Sequence, residues 1–279
     1  YTASYFAELL RGLGHEVWGT SRNMTSLQHK IPPGTAMIDF NLEAISKVML
    51  DTSCLLVATP PTASDFTPSL SLLKNLIIAN KQNYQWIAYL SSTGVYGDHQ
   101  GAWVDETSPC HANTERAMNR LLAEKAWLSL YETEALPVMI FRLSGIYGPG
   151  RNAIERLRSG KDTTVFKKGQ YFSRIHVADI CSALFQSMLS PKPGEIVNVS
   201  DDYPSSAHEV DQFASDLLQI ERPRLIPFDY PSLSPMGKSL YESNRRICNA
   251  KLKNHCLPQL KYPSYKEGFK ALLLEKDLA

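Results

Sequence analysis

The chain has 279 residues, 43% of them hydrophobic and 20% charged, which suits one large α/β domain or a domain carrying a smaller lobe. Lys and Arg number 29 against 28 Asp and Glu, a formal charge of +1, so no global basic field exists to hold a nucleic acid or an anionic membrane. Cys54, Cys110, Cys181, Cys248 and Cys256 are dispersed and form no C-x-x-C pair, which argues against a disulfide framework or a zinc ribbon and points to the cytoplasm or another reducing compartment.

Phe6, Leu9, Leu10 and Leu13 recur at helical spacing, so the chain opens inside a helix. Gly12 to His15 breaks it, and Glu16-Val17-Trp18-Gly19-Thr20 reads as a short buried strand running into Ser21-Arg22-Asn23. Apolar runs at 36–38, 54–58, 86–90, 138–141 and 195–199 read as further strands. Helical stretches at 69–80 and 177–189 separate them, with another at 114–131 that places Met118, Leu121 and Leu122 on one face. Such alternation implies a doubly wound parallel sheet of Rossmann type, covered on both faces. Its first strand is not among these residues.

Residues 1–150 are therefore expected to form a dinucleotide-binding domain that lacks its first strand and Gly-rich loop. Residues 151–279 are expected to form a smaller substrate lobe, with strands returning to the sheet, beside the strand ends where ligands bind in open α/β sheets. No apolar run reaches the length needed to span a bilayer. Any targeting segment would lie upstream of Tyr1, and a chain starting there is expected to bind dinucleotide weakly, because the amides that cradle a pyrophosphate precede it.

Tyr1-Thr2-Ala3, opening a helix that leads to a strand, matches the stretch after the second glycine of G-x-G-x-x-G, with Ala3 at the third small position. At the end of the next strand stand Thr20, Ser21 and Arg22. A guanidinium with hydroxyls suits a 2′-phosphate, favouring NADP(H) over NAD(H); a solvated strand end is the plain alternative. Two more strands run into polar turns, Tyr89-Leu90-Ser91-Ser92-Thr93-Gly94-Val95-Tyr96-Gly97 and Phe141-Arg142-Leu143-Ser144-Gly145-Ile146-Tyr147-Gly148-Pro149-Gly150. Further along stands Arg174-Ile175-His176-Val177-Ala178-Asp179.

In their order and spacing these motifs resemble the extended short-chain dehydrogenase/reductase family, the group of nucleotide-sugar epimerases and dehydratases. The resemblance runs along essentially the whole chain. It implies that Ser92 polarises the substrate oxygen, that Asp39 lies by the adenine and that Ala58 and Thr59 sit on a cofactor loop. The family's Tyr and Lys would fall at Arg116 and Arg120, aligned by Glu124. Arginine exchanges no proton near neutrality, so the pair is degenerate, and Arg120 is left as a ribose contact. Tyr96 and Tyr147 then stand as proton donors, each with a packing role as the alternative, while His176 reads as a neutral structural histidine.

Tyr262-Pro263-Ser264-Tyr265-Lys266 spells Y-x-x-x-K out of context and is read as chance. Arg245, Arg246, Lys251 and Lys253 are a solvated face or an anion site for a phosphate-bearing substrate. Thr93 and Gly94 replace the family dehydratases' acidic pair, which disfavours sugar dehydration by that route. Two functions are compatible with these residues. One is an NADP(H)-dependent oxidoreductase or epimerase, with NAD(H) the alternative cofactor, acting on a sugar-like or nucleotide-linked small molecule; it needs no metal and is compatible with a homodimer through the 114–131 helix. The other is a non-catalytic NADP(H) sensor on the same fold.

Overall fold

A computed structural model describes residues 1–23, 31–231 and 233–277. In chain order the elements are α1 (Thr2–Gly12), β1 (Trp18–Ser21), β2 (Ala36–Asp39), α2 (Leu42–Met49), β3 (Cys54–Val57), α3 (Pro68–Ala79), β4 (Trp86–Ser92), β5 (Trp103–Val104), α4 (Glu115–Glu134), β6 (Val138–Leu143) and β7 (Gly145–Tyr147). They continue with α5 (Ala153–Arg158), β8 (Thr163–Phe166), β9 (Arg174–His176), α6 (Val177–Leu189), β10 (Ile196–Val199), α7 (Ala207–Leu218), β11 (Arg224–Pro227), α8 (Pro235–Ser239), β12 (Arg246–Ile247), α9 (Ala250–His255) and α10 (Tyr265–Asp277). None of the described helices is long and apolar enough to cross a membrane.

The chain divides into two units, each built from three segments. The first holds Tyr1–Ser92, Thr114–Arg142 and Ile180–Val197; the second holds Thr93–Asn113, Leu143–Asp179 and Asn198–Ala279. A single boundary at 150 is what the change of texture after Gly148 suggests, but the division interleaves. Segments 114–142 and 180–197 carry α4 with most of β6, and most of α6 with the start of β10, so the chain returns to the first unit twice.

The first unit is α/β with parallel strands, as its alternating pattern demands. Its strands form a ladder of β1 with β2 and a sheet in the order β10-β6-β4-β3. β1 pairs only with β2 among the described residues, and β3 ends the larger sheet. β6 is buried throughout and β4 nearly so, which explains their continuous apolar runs. Against them pack Leu70, Leu73 and Ile77 of α3 and Ala123, Trp127 and Leu130 of α4.

Two expectations need correction. β1 is not a buried strand: Trp18 is 43% exposed and exposure alternates along it, as successive side chains point to opposite faces. The buried face of α4 is Ala123, Glu124, Trp127 and Leu130, while Met118 and Leu122 are exposed.

The second unit holds the short parallel pairs β7 with β9, β8 with β11 and β5 with β12. Its main core gathers Tyr147, Ile154, Leu157, Val210, Ala214, Tyr265 and Phe269. Gly268 is required there, because a Cβ would come within 2.5 Å of the Tyr147 hydroxyl oxygen.

Candidate functional site

Most residues singled out from the sequence fall at or just after strand ends, while Ala3 and Arg120 lie on helices. In the first unit Ser21 and Asp39 are the last paired residues of the β1–β2 ladder, which sets them side by side. Arg22 and Asp39 are exposed, and the Ser21 hydroxyl exchanges hydrogen bonds with the backbone of Asn23 at 3.1 Å, shaping the turn that presents Arg22. Ala3 is exposed in the first turn of α1. Ala58 and Thr59 follow the end of β3, and Asn119 of α4 donates to the Thr62 carbonyl of that loop at 3.4 Å. Ser92, half-buried, ends β4.

Beneath Ser92 lies a charged cluster with weak signal in the sequence. Arg142 of β6 grips Glu124 of α4 through Nε at 3.1 and 3.2 Å and Nη2 at 2.7 Å, and the Ser91 hydroxyl donates to the same carboxylate. Glu124 is 1% exposed and Arg142 3%. One turn before Glu124, Arg120 Nη1 donates to the Leu90 carbonyl at 2.8 Å and to the Tyr89 hydroxyl at 3.3 Å. Arg116 is exposed.

In the second unit a short 3-10 turn, Thr93–Tyr96, continues directly from Ser92. Tyr96 is fully buried and its hydroxyl donates to Asn198 Oδ1 at 2.8 Å. Asn198, also fully buried, donates its side-chain amide to the Cys248 carbonyl at 3.3 Å and its backbone N–H to Glu106 Oε1 at 2.7 Å. Gly97 closes the turn at φ +68°, where a Cβ would collide with the His111 backbone; hence the glycine in V-Y-G.

The Tyr147 hydroxyl donates to the Ser264 carbonyl at 3.1 Å, and burial followed by the charge of Asp201 pushes its pKa up. His176 packs edge-on against Tyr147 and accepts the Ala178 N–H at Nδ1, 3.1 Å, which leaves the proton on Nε2. Burial, then Lys261, lowers its pKa to about 4, so it is neutral. Asp179 accepts the backbone N–H groups of Lys261 and Tyr262 at 2.7 and 3.0 Å, which accounts for the Asp of I-H-V-x-D. Asp201, 1% exposed, is raised well above the ordinary carboxylate range by burial.

Other sequence candidates are committed to structure. Tyr262 and Tyr265 are buried, and Lys266 lies over the Tyr203 ring. Arg245 donates to the Gly97 carbonyl at 2.8 Å and Arg246 to the Gly101 carbonyl at 2.7 Å, the latter lying near the rings of Trp103 and Tyr171. Lys253 pairs with Asp202. No group of three or more His, Cys, Asp or Glu among the described residues could hold a metal ion.

Parallel strand ends bearing hydroxyl, carboxylate and guanidinium groups accord with a match of residues 1–200 to the model of the NAD dependent epimerase/dehydratase family. The chain belongs to this family. Relatives include Protein YeeZ of Escherichia coli strain K12, 32% identical over 168 residues, covering 58% of this chain and 55% of that protein. Human dTDP-D-glucose 4,6-dehydratase is 27% identical over 150 residues, covering 51% and 42%. The chain thus spans about half the length of the curated relatives it matches. A functionally unknown conserved protein from Silicibacter pomeroyi DSS is 36% identical, with a TM-score of 0.89 over 99% of this chain and 95% of that one. A dTDP-glucose 4,6-dehydratase from Bacillus anthracis, solved in complex with NAD, superposes with a TM-score of 0.78 over 100% and 94% at 17% identity, a likeness of fold.

Proposed function

We propose that the protein is an NADP(H)-dependent oxidoreductase or epimerase acting on a sugar-like or nucleotide-linked small molecule. The observation that carries this reading is the end of the β1–β2 ladder, where Ser21 and Asp39 stand side by side and Arg22 lies exposed just beyond. An unburied guanidinium beside a hydroxyl suits a 2′-phosphate, while Asp39 is assigned to the adenine. These residues fit a dinucleotide, and Ala3, Ala58 and Thr59 belong to the same assignment. Family membership and the NAD-bound complex of a dehydratase of like fold support it.

A bound nicotinamide dinucleotide would supply or accept the hydride. Ser92 holds the substrate oxygen by a hydrogen bond from its hydroxyl. The proton comes from Tyr96 or Tyr147, each of which must first release its internal acceptor, Asn198 or Ser264. The raised pKa of Tyr147 keeps it protonated and makes it a reluctant donor.

That same engagement of both tyrosines, with arginines at 116 and 120, favours a second reading, a non-catalytic NADP(H) sensor. Turnover separates the two. The full-length protein is incubated with NADPH and a panel of sugar nucleotides and carbonyl compounds, and nicotinamide absorbance is followed. The enzyme reading expects turnover that Ser92→Ala abolishes or cuts at least tenfold. Tight NADPH binding with no turnover on any compound would select the sensor.

A further inference from the structure

The C-terminal end of β4 is held from α4 at three consecutive residues. Arg120 Nη1 donates to the Leu90 carbonyl at 2.8 Å and to the Tyr89 hydroxyl at 3.3 Å, with its guanidinium carbon 5.8 Å from the centre of the Tyr89 ring. One turn on, Glu124 accepts from the Ser91 hydroxyl and is fixed in turn by Arg142. Residues four apart share a helix face, so both side chains reach the same strand.

β4 needs such support. Its ladder with β3 ends where Val57 stands opposite Tyr89, and Leu90, Ser91 and Ser92 continue past it. A strand end that has lost a neighbour opens more readily. Arginine suits this place better than lysine would, because its planar fork offers several directed donors while an ammonium is a compact, strongly hydrated charge.

We propose that Arg120 is a positioning residue for Ser92 and not a contact to the dinucleotide ribose. With Glu124 it supports β4 where the pairing with β3 ends past Tyr89, β6 being its other neighbour, and so sets where the Ser92 hydroxyl stands. The proposal rests on the assignment of Ser92 as the residue that holds the substrate oxygen. It gives α4 a fixed mechanical task in a chain whose arginines at 116 and 120 cannot exchange protons.

The test places a reporter thiol at the position in question. Ser92→Cys is made alone and in combination with Arg120→Lys or Arg120→Met, and alkylation of the introduced thiol by iodoacetamide is followed by mass spectrometry, with Cys54 of β3 as internal control. The alkylation rate of the introduced thiol should change at least fivefold in the Arg120→Met background and return towards the parent rate in the Arg120→Lys background, while Cys54 stays within twofold. NADPH titrations of Arg120→Met and Arg120→Lys, made well below their melting temperatures, should give dissociation constants within twofold of wild type. A reporter rate unmoved by Arg120→Met overturns the proposal, as does a tenfold loss of NADPH affinity. A wild-type protein that binds no NADPH defeats the oxidoreductase reading instead, and the alkylation rates still decide the role of Arg120.

Discussion

Changing Glu124 to Gln keeps the side chain's shape and removes its charge, which leaves the Arg142 guanidinium buried without that carboxylate. Both side chains are nearly inaccessible, at 2% and 4%, and the contact is bidentate with a shortest distance of 2.7 Å. Breaking a buried pair from one side costs about 3–5 kcal/mol, because desolvation of the remaining charge is no longer offset. For a chain of this size that corresponds to a fall in thermal midpoint of roughly 6–20 °C, at about 2–4 °C per kcal/mol. Replacing both partners, Glu124→Met with Arg142→Met, should recover most of the loss, since an apolar pair of similar volume leaves no buried charge. The assay is thermal unfolding followed by circular dichroism for the wild type, both single variants and the double variant. A Glu124→Gln midpoint within 2 °C of wild type, or a double variant no better than the worse single one, would refute the reasoning.

Tyr96→Phe removes the hydroxyl that donates to Asn198 Oδ1 in a fully buried place, and urea denaturation should show a loss of about 1–3 kcal/mol; no loss would mean that the bond contributes nothing to holding the turn after Ser92. His176 carries a pH signature: its folded pKa of about 4 lies below its ordinary 6.5, so the unfolded chain protonates first as pH falls. The stabilisation from keeping it neutral is complete above about pH 6.5 and disappears as pH drops to about 4, an effect of up to about 3 kcal/mol. Stability measured against pH for wild type and His176→Gln should differ in slope across that window, and parallel curves would contradict it.

Much of the fold is legible because β4 and β6 are buried almost throughout, so Trp86–Leu90 and Val138–Phe141 appear as unbroken apolar runs that polar alternation cannot mask. The α6 helix reads equally well, Val177–Leu189 in pattern and in structure. The exposed face of α4 misleads because its buried face contains Glu124, whose neutralising partner lies 18 residues away on strand β6. A charge reads as surface until its partner is known. The one clue in sequence is Arg142 itself, a cation set into an apolar strand.

The same limit applies to the candidate site. Ser21, Asp39 and Ser92 are recognisable because each ends a strand. What Tyr96 and Tyr147 do with their hydroxyls depends on residues 102 and 117 positions away, contacts that local pattern does not encode. The clasp of Arg245 and Arg246 onto the carbonyls of Gly97 and Gly101 spans a similar distance, which is why those residues look like a free basic cluster in the sequence.

The assignment of the β1–β2 ladder end to a phosphorylated dinucleotide is tested most directly by calorimetric titration of the full-length protein and Arg22→Ala with NADPH and NADH. The account predicts NADPH binding at least tenfold tighter than NADH in the wild type and near-equal affinities once Arg22 is removed. Binding of neither dinucleotide, or a preference for NADH, would contradict it.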